Sequence, residues 1–331
     1  MPHRPRVSSL GLLGPGPDSD YGPGERSEWL DMNWQEHRRF VEIHGRGVNV
    51  VDIGSGPALI FVHGLGASWQ CWLENIPSFA RDHRVVAMDL PGFGASEMPE
   101  QEISIEYYAR LVCALADELG IESAAVVGNS MGGFIAAEMA IRYPQRVQRL
   151  SLVSAAIFWQ EYRRAKPLVS LARLTEARLG RGLAKSASTV AVRPRLRELA
   201  LLSGGIRYPH LIPHELGTEL VLSASRTPGF LPALEALAGF PLNEELPKIG
   251  CPTLVVWGAH DTLVTVRDSE RIEHAIPGAR RAVFERTGHV PMLERPDRFN
   301  RVLREFLDEE PAQREGAARE REAPARGLLK K

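Results

Sequence analysis

Cysteine is scarce in this chain of 331 residues. Cys71, Cys113 and Cys251 are its three thiols, far apart and without CxxC or Cys/His ligand spacing. A disulfide framework and a zinc site are therefore not expected, and a reducing cytoplasm suits the chain. An excess of either charge is missing too: 40 Lys and Arg face 41 Asp and Glu, for a net charge of −1. No global field exists to hold nucleic acid or an anionic membrane. Long apolar runs are also lacking. In the opening "MPHRPRVSSLGLLGPGP" the apolar segment is only a few residues long and broken by Gly14 and Pro15, too short for a signal-peptide core, and no later stretch approaches bilayer length. No repeat period appears. The expectation is a cytoplasmic globular protein without an integral membrane segment.

What is present is an alternation of strand and helix signals. "ALIFVHG", "RVVAMDLPG", "AAVVGNS", "RLSLVSA" and "PTLVVWG" read as short buried strands ending in glycine-rich turns. Helical patterns separate them, such as the one capped by Ser104, with Tyr108, Leu111, Val112, Leu115 and Leu119 on one face and Gly120 at its end. Continuous apolar strands separated by helices predict an α/β fold, a mostly parallel sheet covered on both faces. Residues 35–157 and 247–310 carry this pattern. Residues 158–246 lack it and read as an inserted helical cap. Within it, residues 161–207 hold eleven Lys or Arg against three acidic residues, read as a solvated outer face. Residues 1–34, rich in Gly, Pro and Ser at their start, and 311–331, charged and rich in Ala, read as poorly ordered tails.

"VVGNSMGGFIAAEMA" passes from strand to helix within three residues, with Ser130 at the junction. Gly128 and Gly132 relieve the crowding of so sharp a turn, which holds the serine hydroxyl out at the sheet edge. G-x-S-x-G alone is a weak pattern, since a nucleophilic serine also needs a base and an acid that orients it. Asp261, in the turn after "TLVVWG", and His289, after "AVFERTG", supply both in the order Ser, Asp, His. On parallel strands all three turns fall at one edge. The N–H of Met131, directly after the serine, is the first candidate oxyanion donor. The second comes from "FVHGLGASW", where Leu65 is preferred and Gly66 is the neighbouring alternative. His63 is expected to brace that loop, and His260, beside the acid, is given no role. "DLPGFGAS" lacks the rest of a phosphate loop and reads as a structural turn near the mouth of the site.

Taken together, "VHGLGAS", "DLPGFGAS", "GNSMGG", "WGAHD" and "GHVPMLERP" make the chain from about Phe40 to Leu307 resemble the α/β-hydrolase family with a helical cap. The resemblance implies an eight-stranded sheet, a Ser130–His289–Asp261 triad and no cofactor or metal. A serine nucleophile points away from the dehalogenase and epoxide-hydrolase branches. The elbow is similar to that of the meta-cleavage C–C hydrolases, which typically place an aromatic residue after the catalytic histidine, where this chain has Val290. "GHVPMLERP" resembles carboxylesterases and monoacylglycerol-type lipases more closely. A carboxylic-ester hydrolase acting on a small apolar ester is the reading favoured here. C–C hydrolysis of ring-fission products is the alternative. A cofactor-free perhydrolase and a non-catalytic binding protein on the same fold stand further off. Trp69, Phe158, Trp159, Phe230, Leu231 and Val290 are the candidate substrate contacts, and the cap aromatics are equally explained by packing within the cap. A monomer and a homodimer are both compatible.

Overall fold

The computed structural model describes residues 20–158, 183–225 and 227–309. Eight strands form one sheet in the order β1-β2-β4-β3-β5-β6-β7-β8. β1 (Arg38–Ile43) and β2 (Arg46–Ile53) make a hairpin. Its two turn residues, His44 and Gly45, both have positive φ, at 51° and 74°, the turn whose twist matches antiparallel strands. β2 is antiparallel to β4 (Arg84–Met88). From β4 onward every pairing is parallel, through β3 (Ala58–Val62), β5 (Ala124–Asn129), β6 (Val147–Val153), β7 (Thr253–Gly258) and β8 (Arg280–Phe284).

Successive side chains on a strand point to opposite faces, and on the central strands both faces are buried. Ile60 and Val62 of β3 enter one apolar core with α1 (Ile105–Glu118), α2 (Met131–Arg142) and Ile272 of the later helix Arg267–Ala275. Leu59 and Phe61 enter the other, where Phe61 stacks on Trp72 at 4.7 Å and the C-terminal helix Pro296–Asp308 contributes Phe299, Leu303 and Phe306. Ser104 caps α1 by accepting the Tyr107 N–H at 3.0 Å. Two-faced burial is what the apolar strands of the sequence require.

Between β6 and β7 the described residues form the helices α3 (Leu183–Val192), α4 (Pro194–Ser203), α5 (His214–Ser223) and α6 (Phe230–Gly239). The first three pack on one another, and α6 packs on α1. Two longer helices follow β7 and β8, α7 (Arg267–Ala275) and α8 (Pro296–Asp308). Among the described residues, no helix is long and apolar enough to cross a membrane.

One expectation is corrected by the N-terminal segment. Residues 20–34 are not a loose tail. Trp29 is buried, its indole N–H donates to Glu74 at 2.8 Å, and the Ser27 hydroxyl reaches the same carboxylate at 2.7 Å. The aromatic residues Tyr21, Trp29 and Trp34 supply the apolar surface that the Gly/Pro-rich composition conceals. Residues 311–331 lie outside the described residues.

Candidate active site

β5 ends at Asn129 and α2 begins at Met131, so Ser130 alone turns the chain. Its backbone stands at φ 56°, ψ −116°. A residue with a side chain pays about 1–3 kcal/mol for such a conformation, so the surroundings must impose it. They do so by close approach. A Cβ on Gly132 would lie 2.2 Å from Val62 O, and one on Gly128 would lie 2.2 Å from Gly132 O. Only glycine fits either place. The Ser130 N–H is held by Val153 O at 2.9 Å, and the Ser130 carbonyl accepts from Ala156 and Phe134.

The loops after β7 and β8 are bonded to each other. Ala259 N donates to Phe284 O and His260 N to Thr287 O, each at 2.9 Å. His260 thereby contributes its backbone to the scaffold. This pairing brings Asp261 to His289, with Oδ2 and Nδ1 2.8 Å apart and the Asp261 side chain fully buried. The other oxygen of Asp261 receives the N–H groups of Leu263 and Val264, each at 2.9 Å. A carboxylate only accepts, so the proton of this contact sits on Nδ1 and Nε2 is left as an acceptor. Asn129 ties the serine turn to the same loop, donating to Val153 O at 3.2 Å and to His289 O at 3.4 Å.

His63 organises the third loop. Its Nε2 accepts the Leu90 N–H at 2.9 Å, so Nδ1 carries the proton and donates to Gly64 O at 2.8 Å. Burial lowers the pKa of this imidazole, with Asp89 opposing, and a neutral ring is what both contacts require. In a trans peptide the C=O and N–H point oppositely, so pinning Gly64 O back turns the Leu65 N–H away from His63. Gly64 itself abuts the serine turn, and a Cβ there would lie 3.1 Å from Ser130 Cβ. Among the described residues, neither the Leu65 N–H nor the Met131 N–H has an acceptor. The Met131 N–H adjoins the strained serine, and Gly64 brings the loop of Leu65 against the same turn.

"DLPGFGAS" is a turn organised around a buried carboxylate. Asp89 accepts from Asn49 Nδ2, Trp69 N and Ala95 N at 2.8–2.9 Å. The segment before α6 rests on this turn, with Gly229 N donating to Gly92 O at 2.8 Å. Phe230 then lies over the loop after β3, its ring 3.2 Å from where a Cβ on Gly66 would stand. Leu231 follows it on α6, half-buried. Val290 is buried beside His289.

Two candidate substrate contacts need correction. Trp69 is 3% exposed, with its ring 4.9 Å from that of Trp34 and under the Arg38 guanidinium. Phe158 is 4% exposed and carries the Arg271 guanidinium 3.5 Å above its ring. Both aromatics are filled on their faces by protein, which leaves them little surface to offer a substrate. Trp159 lies outside the described residues. Asn129 and Glu294 were missed as site residues, although both stand inside the quoted motifs. Glu294 is buried and accepts the Gly288 and Val290 N–H groups flanking His289. Among the described residues, no cluster of three or more His, Cys, Asp or Glu is arranged to hold a metal ion.

Residues 57–296 match the model of the alpha/beta hydrolase fold family. The chain belongs to the α/β-hydrolase family. This α/β hydrolase is 30% identical over 288 residues to an uncharacterised protein of Mycobacterium tuberculosis, covering 85% of this chain and 84% of the other. It is 30% identical over 284 residues to the 2-hydroxy-6-oxo-6-phenylhexa-2,4-dienoate hydrolase of Burkholderia cepacia, covering 81% and 96%. Among solved structures it is similar to a thermophilic esterase from Thermogutta terrifontis, with a TM-score of 0.64, 25% identity, and 82% and 97% of the two chains covered.

Proposed function

We propose that this α/β hydrolase cleaves carboxylic esters of small or medium acyl chains through an acyl-enzyme on Ser130. The observation that carries the reading is the 2.8 Å Asp261–His289 contact on the loop that Asn129 ties to the serine turn. Ser130 Oγ attacks the ester carbonyl carbon while His289 Nε2 takes its proton. The carbonyl oxygen becomes an oxyanion held by the N–H groups of Leu65 and Met131. Collapse breaks the bond to the alkoxy group, which leaves as the alcohol with the proton from His289. A water then gives a proton to His289 and attacks the acyl carbon, and collapse returns Ser130 and the carboxylic acid. Asp261 holds the imidazole in the required tautomer and stabilises its charged form.

Apolar Phe230 over the oxyanion loop and Val290 after His289 support an ester acyl chain as the occupant. The similarity to the Burkholderia cepacia dienoate hydrolase over 96% of its length favours a second reading, C–C hydrolysis of a ring-fission product. A carboxylated dienone calls for a cationic partner. The candidates for it, Arg163 and Arg164, lie outside the described residues. A panel of p-nitrophenyl butyrate, p-nitrophenyl octanoate and one ring-fission dienone separates the two. The ester reading expects far higher kcat/KM on the esters, unchanged by Arg163→Gln and Arg164→Gln. Preferential turnover of the dienone, lost in those variants, overturns it. We further propose that residues 158–246 act as the cap over this site.

A further inference from the structure

Glu294 is the centre of a buried knot that none of the steps above uses. Its carboxylate accepts the Gly288 N–H at 2.9 Å and the Val290 N–H at 3.3 Å, one on each side of His289. From the loop after α4 it accepts the Arg207 N–H at 2.9 Å. From the N-terminal segment it accepts the Tyr21 hydroxyl at 2.6 Å. The same Tyr21 oxygen accepts the Tyr208 N–H at 2.9 Å. The Tyr21 ring meets that of Tyr208 edge-on at 5.3 Å and lies 5.5 Å from the Arg295 guanidinium, which pairs with Asp20. Gly22 N donates to Glu294 O at 2.7 Å.

The loop gripped in this way rests directly on the histidine. Gly205 O accepts the His289 N–H at 2.9 Å, and a Cβ on Gly205, at φ +89°, would stand 2.5 Å from His289 Cβ. Beside the direct Arg207 bond, a group that bridges the carboxylate, which only accepts, and a second backbone N–H of the loop, which only donates, must do both. A hydroxyl is such a group. Burial and the neighbouring Glu294 raise the pKa of the Tyr21 hydroxyl, which therefore keeps its proton to donate.

We propose that Tyr21 is a positioning residue: its hydroxyl clasps loop 205–208 to the Glu294 carboxylate and so fixes the loop that carries His289. The proposal rests on His289 being the catalytic base. It differs from a general tether of the N-terminal segment, because Ser27 and Trp29 anchor that segment independently on Glu74.

Tyr21→Phe in the full chain keeps the ring and its packing and removes only the hydroxyl. With p-nitrophenyl butyrate, kcat should fall about tenfold while KM stays within a factor of about two, the mark of a displaced catalytic group. In ¹⁵N-histidine-labelled protein, the His289 Nδ1 proton, assigned by its loss in His289→Gln, should exchange faster with water in Tyr21→Phe than in wild type. Ser27→Ala, the control in the same segment, should leave both readouts at wild-type values. Wild-type kcat and unchanged proton exchange in Tyr21→Phe overturn the proposal, as do equal effects from Ser27→Ala. The exchange measurement needs no substrate. It therefore decides the proposal even if the ester reading fails.

Discussion

The Asn129 side chain donates to the carbonyl oxygen of His289 at 3.4 Å and to that of Val153 at 3.2 Å. The residue before the proposed nucleophile thus holds the loop of the proposed base, although 160 positions separate them in sequence. One amide fixes the mutual position of two loops that the sheet alone places only at a common edge.

Asn129→Ala should therefore lower kcat by about tenfold with little change in KM, since the acyl chain is bound elsewhere. Steady-state kinetics on p-nitrophenyl butyrate tests this. A rise in KM at constant kcat would place Asn129 in substrate binding instead.

His63 carries a pH dependence whose sign follows from its burial. The folded imidazole has a lowered pKa, so the unfolded chain binds the proton first as pH falls. Its contribution to stability is present above the ordinary histidine range, near pH ~6.5, and is lost as pH drops through the lower folded value. Thermal melts across this window should show the wild type losing stability on acidification more steeply than His63→Gln. At neutral pH, His63→Gln should be less stable by about 1–3 kcal/mol, the cost of a disrupted buried hydrogen bond. Its kcat should also fall by about a hundredfold through the freed Leu65 N–H.

Phe230 covers Gly66 from above, and Gly229 is seated on Gly92 to bring it there. Phe230→Ala should open apolar space beside the oxyanion loop and change chain-length preference. The ratio of kcat/KM for p-nitrophenyl octanoate over butyrate should shift several-fold, with the melting temperature little altered because the ring is already 36% exposed. An unchanged ratio would remove Phe230 from the acyl site.

Much of this was legible in the sequence, because local chemistry dictated it. Continuous apolar strands gave the two-faced parallel sheet, and Gly128, Ser130 and Gly132 gave the sharp turn that close backbone approach enforces. Asp261 and His289 were legible because each stands just past a strand end on one sheet edge, and their loops pair there. Long-range packing was not legible. That Trp69 would meet Trp34 and Arg38, and Phe158 be covered by Arg271, depends on contacts with no sequence spacing. Tyr21 looked like part of a tail because its neighbours are Gly and Pro. Its partners, Glu294 and Tyr208, lie 273 and 187 positions away.

The proposed covalent acyl-enzyme on Ser130 is tested most directly by intact mass and peptide mapping of enzyme quenched during turnover of p-nitrophenyl butyrate. The predicted result is a butyryl adduct on the peptide containing Ser130. It should be absent in folded Ser130→Ala, whose kcat should fall on the order of a millionfold. An adduct on another residue, or Ser130→Ala retaining most of the wild-type rate, would contradict it.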